Sequence, residues 1–102
     1  MSSPTRRDLS IEELKVIVAP IAKEYGVGKV YLFGSRARGD HREGSDYDFC
    51  IELGKIRSIS VLSGLFQDLR EAIGYDIDLV DISSIDPKFI KNIMDEGVVA
   101  YG

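Results

Sequence analysis

A single cysteine, Cys50, rules out an internal disulfide. A single histidine, His41, leaves no histidine and cysteine set of the kind that holds zinc. Every apolar run is far too short to span a bilayer, which excludes a helical membrane anchor. The opening stretch MSSPTRRDLS carries two arginines with no apolar segment behind them, so it does not read as a secretory leader. Positive charge is scarce as well: 13 Lys and Arg stand against 17 Asp and Glu, for a formal net charge of −4. A chain that holds nucleic acid by its phosphates needs a basic face, so general nucleic-acid binding is disfavoured. There is no repeat, no low-complexity tract and no linker. Together these absences point to the cytoplasm.

What remains is 44% apolar and 29% charged with both signs mixed, which fits one soluble domain over residues 1–102. Residues 1–9 read as a loose N-terminal arm. Ser10 to Tyr25 reads as a helix: Ser10 and Glu13 form a capping-box pattern, and Ile11, Leu14, Val18, Ile21 and Tyr25 make one apolar stripe. Pro20 is expected to kink or split it, and Gly26 to cap its end. Lys29 to Phe33 reads as a buried strand that ends in the glycine turn GSRARG, followed by a polar loop over 40–45. Asp46 to Leu53 alternates as a second strand. A helix starts at Ser58 or Ser60 and runs to about Ile73 with Leu62, Leu65, Phe66 and Leu69 on its buried side, and Gly74 ends it. Tyr75 to Ile82 reads as a third strand. Asp86-Pro87 opens a last helix carrying Phe89, Ile90, Ile93 and Met94, closed by Gly97, and Val98 to Tyr101 adds a terminal strand. The order predicts an α/β fold: a small mixed β-sheet with helices packed mainly on one face.

The chemistry gathers at two places. Asp46 and Asp48 are two residues apart on a predicted strand, so their carboxylates point the same way. Two such charges repel unless a cation sits between them or they lie at the sheet end in water. Asp76 and Asp78 repeat the arrangement on the third strand. If the second and third strands are neighbours, up to four carboxylates converge, an oxygen set suited to Mg²⁺. Gly34 leaves room for a phosphate to approach the backbone, and free N–H groups with the Ser35 hydroxyl can hold its oxygens. Arg36 and Arg38 flank this turn and can add charge-assisted bonds. A phosphate cradle beside paired carboxylates is what metal-assisted phosphoryl transfer requires: one ion bridges the phosphates and a second activates the attacking hydroxyl. Either element alone reads as an ordinary turn or a solvated strand edge. The combination and its spacing carry the signal: Gly34-Ser35, ten residues, then Asp46-X-Asp48.

The string GSRARGDHREGSDYDF thereby resembles the signature of the nucleotidyltransferase superfamily that includes DNA polymerase beta. With DIDLVD further on, the chain looks like the minimal nucleotidyltransferases, small prokaryotic proteins that are frequently the antitoxin of a pair with a HEPN-domain ribonuclease toxin. The resemblance spans nearly the whole chain and implies a polymerase beta palm-like fold. It implies that Gly34 and Ser35 hold the triphosphate of ATP or another nucleoside triphosphate. Asp46 and Asp48 would bind two Mg²⁺ ions, and Asp78, in the stretch IDLV, would be the third carboxylate, with Asp76 as the alternative. Arg38 and Arg36 would contact phosphate. It implies, finally, transfer of AMP to a tyrosine of a HEPN partner. Larger relatives carry an additional helical domain, so a second copy or a partner protein is expected to complete the site.

Tyr47 departs from the family, which more often has isoleucine there; it points to the opposite side and reads as packing, as does Phe49. Cys50 shares the side of Asp48 and reads as a small packing residue rather than a reactive thiol. His41 reads as a solvated loop residue, and Tyr75 and Tyr101 as packing. Two other functions compete: a non-catalytic module that blocks a toxin by covering it, and a polymerase or RNA-modifying enzyme, which the acidic balance disfavours.

Overall fold

The computed structural model describes residues 9–42 and 45–102. The expected arm lies outside the described residues except for Leu9, whose N–H donates to the Tyr47 hydroxyl at 3.0 Å. Helix α1 (Ile11–Tyr25) begins with the capping box in full: Ser10 Oγ accepts from the Glu13 N–H at 3.1 Å and Glu13 Oε1 accepts from the Ser10 N–H at 2.9 Å. Gly26 ends it in the left-handed conformation. The helix continues through Pro20 instead of splitting. Pro20 and Val16 lie on its exposed side, where water can take the Val16 carbonyl that a proline cannot pair.

Strand β1 (Lys29–Phe33) has the expected bounds. Beyond it, a four-residue helix α2 (Ser35–Arg38) forms where only a turn was expected. Strand β2 (Tyr47–Glu52), helix α3 (Ile59–Ile73), strand β3 (Ile77–Asp81), a 3-10 turn (Ile82–Ser84), helix α4 (Pro87–Glu96) and strand β4 (Val98–Tyr101) complete the chain. The strands order as β3-β2-β1-β4. β1 runs antiparallel to both β2 and β4, whereas β2 and β3 are parallel and joined through α3. The expected mixed sheet is therefore present.

Strand alternation separates two apolar clusters. On one face Val30, Leu32, Tyr47, Phe49, Ile51 and Ile77 meet Leu14, Val18 and Ala22 of α1 and Leu65, Leu69 and Ile73 of α3. On the other, Tyr31 and Cys50 meet only Ile93 of α4, with Phe33, Ile82 and Ile85 at the margin. Helix cover is thus concentrated on one side, and the second side is left half open. Among the described residues, no helix is long and apolar enough to cross a membrane.

Candidate active site

The half-open side carries the candidate residues. Asp48 is in register with Phe33 of β1 on one side and with Asp78 of β3 on the other. Neighbouring strands lie about 4.8 Å apart, so Asp78, Asp48 and Phe33 form one transverse row of side chains. Ile77 and Phe49, beside them in the chain, are buried in the main core, which fixes the row on the opposite face. Asp46 lies just ahead of β2 and is exposed. Asp48 is half-buried and holds its proton more tightly than an ordinary carboxylate. Burial is the main cause, then the negative charges of Asp78 and of Asp46, while Arg38 acts the other way. The charges of Asp78 and Asp46 thus both act on Asp48.

Gly34 brings the glycine-serine turn to the same spot. Its backbone (φ 74°, ψ −157°) lies in a region that only glycine occupies readily. A Cβ there would run into the Asp48 carboxylate, inside contact distance of Oδ2. The turn thus passes directly beside Asp48. The N–H groups of Ala37 and Arg38 donate to the Gly34 carbonyl and those of Gly39 and Asp40 to the Ser35 carbonyl, which winds α2 tightly. Ser35 is the first residue of that helix.

The two arginines of the turn separate. Arg36 is buried, which differs from the expected phosphate contact. Its Nε and Nη2 donate to the Ser45 carbonyl at 2.8 and 2.6 Å, and its guanidinium lies 3.8 Å above the Tyr47 ring and 5.3 Å from that of Tyr75. It binds the turn to the segment that carries Asp46, acting on the site from behind. Two tyrosine faces on the main-core side receive the planar cation there. Arg38 stays at the surface, 3.2 Å from Asp40 and 3.8 Å from Glu96. Asp76 also falls differently from expectation. It precedes β3, its carboxylate pairs with Arg70 at 3.1 Å, and its carbonyl accepts from the Tyr47 N–H. Of the two alternatives, Asp78 is the one in the row.

The donors are all oxygens and sit where negative charge is concentrated, both of which fit a hard divalent cation. Among the described residues no three acidic, histidine or cysteine side chains already stand as a finished cluster. The strand register places Asp48 and Asp78 side by side. Cys50, next in β2 on the same face, is fully buried, and burial with the charges of Asp81 and Glu52 pushes its thiol up to about 11. It has the character of a packing residue.

Beside Gly34 lies a cleft of about 260 Å³, lined by Phe33, Gly34, Arg38, Phe89, Asn92, Ile93 and Glu96. Sequence reasoning counted Phe89 among the apolar residues of the last helix and passed over Asn92. Yet Phe89 is 42% exposed and meets Phe33 edge-on at 5.8 Å.

The polymerase beta nucleotidyltransferase family matches residues 16–102. A Methanocaldococcus jannaschii protein, provisionally named a protein adenylyltransferase, is 34% identical over 90 residues, covering 88% of this chain and 97% of its own. The protein adenylyltransferase MntA of Thermococcus cleftensis is 32% identical over 94 residues, 88% of this chain and 95% of its own. Among solved structures, a chain of a toxin–antitoxin crystallised with AMP-PNP superposes with a TM-score of 0.70 at 25% identity, over 92% of this chain and 74% of that one.

Proposed function

The chain belongs to the polymerase beta nucleotidyltransferase family, and from that premise we propose that it transfers AMP from ATP to a protein hydroxyl, a tyrosine of a HEPN-domain toxin whose antitoxin it is. The observation that carries this is the row of Asp78 and Asp48 beside Gly34, with Asp46 within electrostatic reach. Relatives named protein adenylyltransferases support a protein acceptor, and the AMP-PNP toxin–antitoxin structure supports both an adenine nucleotide and a toxin partner.

In this reading Gly34 admits the triphosphate against the backbone, and the Ser35 hydroxyl and the opening N–H groups of α2 receive its oxygens. Arg38, held at the surface by Asp40 and Glu96, turns to phosphate. Asp46, Asp48 and Asp78 would hold two Mg²⁺ ions, which when bound would lower the pKa of the attacking hydroxyl and offset the charge that develops on the phosphates. The acceptor oxygen bonds to the α-phosphorus as the bond to pyrophosphate breaks, and Asp78, at the end of the row, faces the incoming hydroxyl. The Arg36 guanidinium, bonded to the Ser45 carbonyl, ties the turn to the segment that carries Asp46.

The test is mass spectrometry after incubating the chain with the toxin encoded beside it, ATP and Mg²⁺. The expected result is a toxin heavier by one or more AMP units. A stable complex with no mass gain overturns transfer and leaves blocking by contact.

A further inference from the structure

We propose that the cleft between Phe33, Phe89 and Asn92 seats the nucleobase of the bound nucleotide, a reading that rests on the transfer function proposed above. The phosphate that reacts is the one joined to the ribose, so the base must lie one sugar away from the carboxylates. Phe33 is the cross-strand neighbour of Asp48, about 5 Å distant in register. Gly34, whose missing Cβ makes room for the Asp48 carboxylate, also lines the cleft. The aromatic wall therefore starts where the row of carboxylates stops. The acceptor has the other end, beyond Asp78.

The wall is built for a flat apolar ligand. Phe89, Asn92 and Glu96 recur at three and four residues and share one side of α4, while Ile93 anchors that helix in the small cluster. Phe89 closes edge-on against Phe33 at 89°, so one ring faces the other's edge and Phe89 keeps 42% of its surface open. An exposed ring in a cleft offers a stacking platform that any base can use. The Asn92 amide adds one donor group and one acceptor, the pair that matches the edge of adenine. Arg38, bridging to Glu96 at 3.8 Å, lines the cleft on the side of Gly34.

Phe89→Ala and Asn92→Ala separate the base from the phosphates, since both positions are exposed and neither substitution opens the core. Calorimetry in Mg²⁺ compares ATP with inorganic tripolyphosphate on the folded proteins, as checked by circular dichroism. Each variant is expected to bind ATP roughly tenfold more weakly, on the scale of a lost stacking partner, with tripolyphosphate unchanged. Wild-type affinity for ATP in both variants overturns the assignment. Unchanged ATP affinity with slowed transfer gives the cleft to the acceptor side chain and also overturns it. Equal binding of ATP and tripolyphosphate by the unaltered protein removes the base site but leaves transfer standing. Binding of neither removes both.

Discussion

Ionised Asp48 is held in the free protein against burial and the charges of Asp78 and Asp46, with Arg38 as the relieving partner. Its folded pKa lies above the unfolded carboxylate value of about 3.9. Between those two values the folded state binds the extra proton, so this group's contribution to stability falls as pH rises through that window and stays low above it. At neutral pH in chelator, Asp48→Asn is therefore expected to melt at a higher temperature than the unaltered protein. The gap should close as the pH drops below the folded pKa of Asp48. Mg²⁺ should reverse the order, raising the melting temperature of the unaltered protein and leaving the variant where it was. Equal stabilisation of both by Mg²⁺ would show that Asp48 is not a ligand. The same substitution should lower transfer by at least about a hundredfold, the scale of removing one preorganised electrostatic partner from a reacting centre.

Among the elements, α2 and the lead-in to β2 are tied by one side chain. Arg36 reaches the Ser45 carbonyl with two nitrogens and lies over Tyr47, and a lysine can do neither in the same plane. Arg36→Lys is expected to cost about 1–3 kcal/mol in urea unfolding. It should also raise the Mg²⁺ concentration needed for half-maximal transfer, because Asp46 sits next to the released segment. An unchanged Mg²⁺ requirement would confine Arg36 to stability. This contact was not legible in the sequence. Charged residues ordinarily stay at the surface, and only the tertiary meeting of Arg36 with Tyr47 and Tyr75 reverses that. Helix α2 was missed because four residues between two glycines are too few to show a period. By contrast β1, the Ser10 capping box and the Asp86-Pro87 start of α4 were readable, since each rests on local chemistry. Asp76 was placed on a strand because the alternation runs through it; β3 begins one residue later at Ile77, although the Asp76 carbonyl still accepts from the Tyr47 N–H. The cleft at Phe89 and Asn92 depends on how α4 docks, which no local pattern states.

At the scale of the molecule, the sheet has two inner strands and two edges. β1 is bonded on both sides by β2 and β4, and β2 by β1 and β3. Native-state hydrogen exchange should find its slowest amides in β1 and β2, with β4 and β3 opening earlier. Slowest exchange in β4 would contradict this order. The parallel pairing of β2 with β3 has a consequence for synthesis of the chain. Asp48 and Asp78 are thirty positions apart, and they become neighbours only after α3 has carried the backbone over the sheet and back. A copy that ends between Glu52 and Ile77 owns the glycine-serine turn, Asp46 and Asp48 yet lacks Asp78 and the strand that carries it, so the row stays incomplete until the ribosome has passed β3.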